Sequence, residues 1–77
     1  MKYKNGTLLN IKRYYPKYHM IVKILGYNSL TEKSNCYVIK DKGNDQRDWT
    51  NSERDINLDV YDCTVINNEE ELLAVII

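Results

Sequence analysis

The chain has 77 residues, 43% of them hydrophobic and 29% charged, and its formal net charge is zero. This length holds one domain, residues 1–77, with a small core, and the composition excludes a disordered chain. Because no stretch approaches roughly 18 apolar residues and no apolar run follows the first residues, we expect no membrane contact and a cytoplasmic location.

Charge is distributed unevenly along the chain. Residues 1–40 carry eight basic side chains against one acidic one, a net +7, and residues 41–77 carry three against ten, a net −7. Two interpretations stay open. The halves either neutralise each other across one sheet, or occupy different faces and attract a charged partner or a second copy of the chain.

The residue usage is tyrosine-rich, with seven Tyr, one Trp and no Phe. Asn, Lys and Ile are also plentiful, a bias typical of AT-rich coding in phages and mobile elements. The two cysteines, Cys36 and Cys63, form no C-x-x-C motif, and we expect both to stay reduced thiols.

Three short β-branched and aromatic segments in the first half predict strands. They cover residues 7–15, 19–27 and 35–40. A turn at Gly6 precedes the first segment, and Pro16 ends it.

Residues 41–55 form a long polar segment with Trp49 as its only large apolar side chain. We expect a loop here, with one short helical turn where Thr50 to Glu53 fits a capping box. Trp49 either closes one end of the barrel or contacts a partner.

The second half predicts one clear strand and one ambiguous segment. Residues 56–66 alternate apolar and polar side chains, with a break near Asp62 that indicates a bulge. At residues 68–77, Asn68 fits a helix N-cap, whereas β-branching at the end favours a strand. We expect the strand.

These segments together predict a mostly β fold. The expected architecture is a small SH3-like open barrel or a twisted antiparallel sheet of about five strands; a meander with one C-terminal helix is the alternative. The core positions are those that face inward in alternating segments: Ile11, Val22, Ile24, Val38, Leu58 and Val60.

The sequence offers no catalytic, metal-binding or cofactor-binding motif. His19, Cys36 and Cys63 lack the pair spacing of zinc sites and the surroundings of a nucleophile with its base. Asp59 and Asp62 would point to opposite faces of a strand, and the chain has no glycine-rich phosphate loop. We therefore expect no enzyme and no cofactor.

The class of function that remains is binding through the protein surface. Tyrosine and tryptophan are preferred at protein interfaces, and lysines interleaved with tyrosines suit nucleic acid. We predict a non-enzymatic protein-binding module, a phage-like small inhibitor or adaptor of a host protein. The alternative is a nucleic-acid-binding barrel that uses the Lys/Tyr-rich N-terminal half. The candidate residues for either are Lys12, Tyr14, Tyr15, Lys17, Tyr18, Trp49, Asp59 and Tyr61.

Overall fold

A computed structural model of the chain describes residues 2–44 and 47–77. In chain order, its elements are β1 (Leu8–Arg13), β2 (Tyr18–Asn28), β3 (Lys33–Asn44), β4 (Ser52–Ile56), a 3-10 turn (Leu58–Val60), β5 (Asp62–Ile66) and α1 (Glu69–Ile76). The strands form one antiparallel sheet in the order β4-β3-β2-β1-β5. The predicted mostly β fold of about five strands is confirmed.

The sheet begins at a glycine turn. Gly6 adopts φ 89°, which favours glycine, and its N–H donates to the Ile24 carbonyl (2.7 Å). From there β1 runs antiparallel to β2, and the last pair of this hairpin joins Arg13 to Tyr18.

The β2–β3 pairing contains three register shifts, after His19, Ile21 and Ile24. Extra residues of this kind bend a strand and increase its twist, so these two long strands can curve around a core. The bulge predicted near Asp62 is wrong, because Asp62 starts a regular strand, β5.

One face of the sheet carries the hydrophobic core, because alternate side chains of each strand point to it. The cluster contains the predicted Ile11, Val22, Ile24, Val38 and Leu58. Its other buried members are Leu9, Tyr18, Met20, Cys36 and Ile56.

The predicted single strand over 56–66 is wrong. A 3-10 turn interrupts it, and Asn57 starts this turn by accepting the Asp59 backbone N–H (3.1 Å). The turn carries the chain from β4 at one sheet edge to β5 at the other. Leu58 is buried as expected, but Val60 is 51% exposed and is no core residue.

The strand expected at residues 68–77 is also wrong, because this segment is the helix α1. Asn68 caps it by accepting the Glu71 backbone N–H (2.8 Å), and the Glu71 side chain accepts the Asn67 N–H (2.8 Å). This reciprocal arrangement stabilises a helix start. Lys42 of β3 holds the other end by donating to the Val75 carbonyl (2.6 Å).

The loop expected at 41–55 is shorter than predicted. β3 continues to Asn44 and β4 begins at Ser52, so only 45–51 connect them, and residues 45 and 46 lie outside the described residues. The predicted helical turn is absent from residues 50–53, since Glu53 pairs with Tyr37 in the sheet.

Candidate binding site at the tip of the first hairpin

The β1–β2 hairpin ends in a turn with two unusually exposed rings. Tyr14 is 84% and Tyr15 is 94% exposed, and Pro16 and Lys17 complete the turn. Aromatic side chains this exposed bury very little surface in the fold, so their rings do not stabilise it. They lie next to the Arg13–Tyr18 pair that closes the hairpin.

Two tyrosine rings stack beside this turn. The centroids of Tyr18 and Tyr61 are 4.4 Å apart, with an angle of 28° between the rings. Tyr61 reaches this position because it directly follows the 3-10 turn, which the buried Leu58 anchors in the core. The Arg13 guanidinium lies 4.8 Å from the Tyr61 ring centroid, a cation–π distance.

Trp49 extends this arrangement from the β3–β4 connection. Its backbone N–H donates to the Asp41 carboxylate (2.9 Å), which fixes the loop. The guanidinium groups of Arg47 and Arg54 each lie 4.1 Å from its ring centroid. The half-buried ring packs against the core, and its Nε1 has no hydrogen-bond partner among the described residues. Trp49 is therefore part core residue and part surface residue.

Arg54 connects the Trp49 ring to the stacked tyrosines, since one of its Nη atoms donates to the Tyr18 hydroxyl (3.4 Å). Burial raises the pKa of Tyr18, and the nearby Arg54 charge opposes that rise. The phenol is therefore neutral at physiological pH. We name the whole assembly the arginine–aromatic patch and define it as Arg13, Tyr18, Arg47, Trp49, Arg54 and Tyr61.

All three arginines of the chain lie in this patch. Within residues 2–44 and 47–77, none of them forms an ion pair with a carboxylate. A guanidinium stacked on a ring still has its N–H donors around its edge. The patch therefore combines positive charge, hydrogen-bond donors and aromatic surface.

A small cleft opens between Arg13 and Arg54, with a volume of about 170 Å³. Lys17, Tyr18 and Tyr61 complete most of its lining. A cleft of this size admits one functional group of a ligand, since sites for whole small molecules measure ~300–1,000 Å³.

A second basic group lies at the same end of the sheet. Burial first, and then the charges of Lys12, Lys42 and Lys17, lower the pKa of His19. The His19 Nε2 donates to the Asn10 side-chain oxygen (2.8 Å). Lys12 pairs with His19 across β1 and β2, on the face opposite the core.

The thiols are free and poorly reactive. Burial raises the pKa of Cys36 to about 12, and burial also raises that of Cys63. In the part of the chain that the structure describes, no group of three His, Cys, Asp or Glu side chains is placed to hold a metal ion.

The structure brings most of the predicted site residues together. Tyr18, Trp49 and Tyr61 lie in the patch, while Tyr14, Tyr15 and Lys17 form the adjacent turn. Lys12 lies on the opposite face, and Asp59 lies in the 3-10 turn, where its charge acts on Tyr3 and Cys63.

The predicted site residues omit all three arginines of the patch, Arg13, Arg47 and Arg54. Their one sequence signal is that arginine is rare in this chain, with three residues against eight lysines. Arginine is the residue that stacks on rings and binds oxyanions through a fork of donors.

No helix within residues 2–44 or 47–77 has the length and apolar character needed to cross a membrane. Comparisons with protein-family models, curated proteins and solved structures find no match for the chain.

Proposed function

We propose that the chain is a non-enzymatic module that binds a protein partner through the hairpin turn and the arginine–aromatic patch. The observation that carries this proposal is the position of Tyr14 and Tyr15, both exposed in the turn that directly follows Arg13 of the patch. Tyr, Trp and Arg are the residues most enriched among interface hot spots. The proposed role is that of a small inhibitor or adaptor from a phage or mobile element, acting on a host protein in the cytoplasm.

The state of the rings favours a protein partner over a single-stranded nucleic acid. Binding of single strands depends on open ring faces on which bases stack. In the patch, Tyr18 and Tyr61 stack on each other, and two guanidinium groups lie at 4.1 Å from the Trp49 ring. Among the aromatic residues of the patch and the turn, only Tyr14 and Tyr15 are this exposed, so the patch itself offers no stacking platform for bases.

The test compares the hairpin turn with a matched exposed position at the other end of the sheet. The double variant Tyr14→Ser, Tyr15→Ser is paired with Leu30→Ser, since Leu30 is 93% exposed in the β2–β3 turn. Tagged chains are used to capture partners from host-cell lysate, with and without nuclease, and affinity for the captured protein is then measured.

We expect the tyrosine variant to lose more than ~2 kcal/mol of partner affinity, as at a hot spot. Leu30→Ser should bind as the parent chain does. Equal binding by both variants would contradict the proposed surface. Trp49→Ala should also weaken binding, with the free energy of unfolding measured alongside because Trp49 packs on the core.

One observation favours nucleic acid as a second candidate partner. Lys12, Lys17 and Lys42 surround His19 at the same end of the sheet, and such a cluster suits phosphates. If this candidate is right, Lys12→Ala and Lys17→Ala each reduce the salt slope of oligonucleotide binding by about one. Tight oligonucleotide binding at ~0.15 M salt that is lost in the tyrosine variant would promote nucleic acid over protein.

A further inference from the structure

The cleft between Arg13 and Arg54 is built from parts of the chain that are distant in sequence. Arg13 ends β1, Arg54 lies in the edge strand β4, and Lys17 comes from the hairpin turn. The stacked rings of Tyr18 and Tyr61 line the same space. Three cationic side chains therefore surround a space of about 170 Å³.

Two of the cationic side chains that line this space make few hydrogen bonds within the fold. The Arg13 Nε is buried and has no hydrogen-bond partner among the described residues. Arg54 makes a long bond of 3.4 Å to the Tyr18 hydroxyl. A buried donor without an acceptor destabilises a protein, so an acceptor that enters the cleft would be favoured.

Asp41, an acidic side chain whose charge acts on Tyr18, already accepts hydrogen bonds from the β3–β4 connection. The Asp41 carboxylate accepts the backbone N–H groups of Trp49 (2.9 Å) and Gly43 (3.0 Å), and also the Asn44 amide. It fixes the β3–β4 loop and, in the part of the chain that the structure describes, forms no ion pair with the patch arginines. The positive charge of the cleft is thus left for an external anion.

We infer that this cleft is an oxyanion-binding site that takes one carboxylate or phosphate group of the partner. The inference rests on the proposed function, because the protein partner supplies the anion. Arginine binds either group through paired N–H donors, and the volume of about 170 Å³ matches one such group. The partner segment that inserts is therefore acidic or phosphorylated, and the turn tyrosines contact the surface beside it.

The experiment follows the side-chain N–H resonances of the arginines by NMR in the full chain. Inorganic phosphate and succinate are titrated separately at constant ionic strength, with sodium chloride as the reference salt. We expect both oxyanions to shift the Arg13 Nε–H signal saturably and chloride to leave it unchanged. Equal shifts with chloride would show general screening and overturn the site.

Three variants separate a site from a general charge effect. Arg54→Gln removes one of the charged side chains that line the cleft, and Arg13→Lys keeps the charge but loses the Nε–H donor. Lys33→Gln is the matched control, since Lys33 lies at the opposite end of the sheet, paired with Asn28. Losing a charge-assisted hydrogen bond should weaken oxyanion binding ~10-fold in the first two variants, with less than a twofold change in Lys33→Gln.

Backbone spectra show whether each variant is folded. If Arg13→Lys does not fold, the Arg54→Gln chain alone tests the oxyanion site. An Arg54→Gln chain that binds phosphate as the Lys33→Gln chain does would overturn the inference. Displacement of phosphate by a short oligothymidylate, but not by a glutamate-rich peptide, would overturn the protein source of the anion.

The two proposals fail in different ways. Loss of the oxyanion site in the arginine variants, with full partner capture by the tyrosine double variant, would retain the site and reject the proposed contact surface. Partner capture that depends on the tyrosines, without any saturable oxyanion effect, would retain the surface and reject the site.

Discussion

Leu58 and Val60 form a natural pair for testing how the 3-10 turn stabilises the domain. The turn places the Leu58 side chain in the core, where it is 1% exposed, and leaves Val60 51% exposed two residues later. Both were inward positions in the sequence pattern. The substitutions Leu58→Ala and Val60→Ala therefore test the tertiary structure and not the pattern.

The expected losses in the free energy of unfolding differ severalfold between Leu58→Ala and Val60→Ala. Truncation of a fully buried leucine to alanine costs ~2–5 kcal/mol, from lost burial and the cavity that remains. Exposed substitutions usually stay within ~0.5 kcal/mol. At ~0.05–0.15 kcal/mol per residue, a domain of this length has a free energy of unfolding of roughly 4–12 kcal/mol. Leu58→Ala should thus remove a large part of the stability, whereas Val60→Ala should remove very little.

The assay is urea denaturation followed by far-UV circular dichroism, so that the signal does not depend on Trp49 alone. We expect the Leu58→Ala midpoint to fall strongly with an unchanged slope, and the Val60→Ala midpoint to match the parent chain. Equal losses in the two variants, or a larger loss in Val60→Ala, would refute the placement of the 3-10 turn against the core.

Three further predictions follow from caps and burial. Asn68→Ala should cost ~1 kcal/mol of helix stability and speed amide exchange in α1 but not in β2, because no α1 side chain is buried; unchanged exchange in α1 would contradict the cap. Alkylation at about pH 8 should modify Cys63 before Cys36, because burial raises the pKa of Cys36 to about 12. Peptide mass spectrometry measures the order, and modification of Cys36 first would contradict the prediction. Because burial raises the pKa of Tyr18, its neutral form stabilises the fold fully below about pH 10, and this contribution is lost as pH rises further. Urea midpoints should therefore decline above about pH 10, less so in Tyr18→Phe, and an equal decline would contradict this origin.

The sequence determined the parts of the fold that depend on local periodicity. Ile11, Val22, Ile24 and Val38 occupy the core because alternation in a strand fixes which side chains share a face. The turn at Gly6 was also readable, since a positive φ favours glycine.

Local sequence rules do not decide the conformation of a short segment that is compatible with two structures. Residues 68–77 carry both an N-cap and β-branched residues, and the mutual hydrogen bonds of Asn68 and Glu71 belong to the helix. Residues 56–66 alternate like a strand, yet the chain must cross from one sheet edge to the other, and the 3-10 turn provides that crossing.

The candidate site was decided by the tertiary structure alone. Arg13, Trp49, Arg54 and Tyr61 come from β1, the β3–β4 connection, β4 and the residue before β5. Their sequence separations contain no information about contact. Arg54 pairs with Cys36 in the sheet, far in register from the Arg13–Tyr18 pair, and the fold of the sheet brings its side chain to the Tyr18 hydroxyl. The sequence supplied the residue types that can bind an anion or a protein surface, and the folded sheet placed Arg13, Arg54 and Tyr61 around a single cleft.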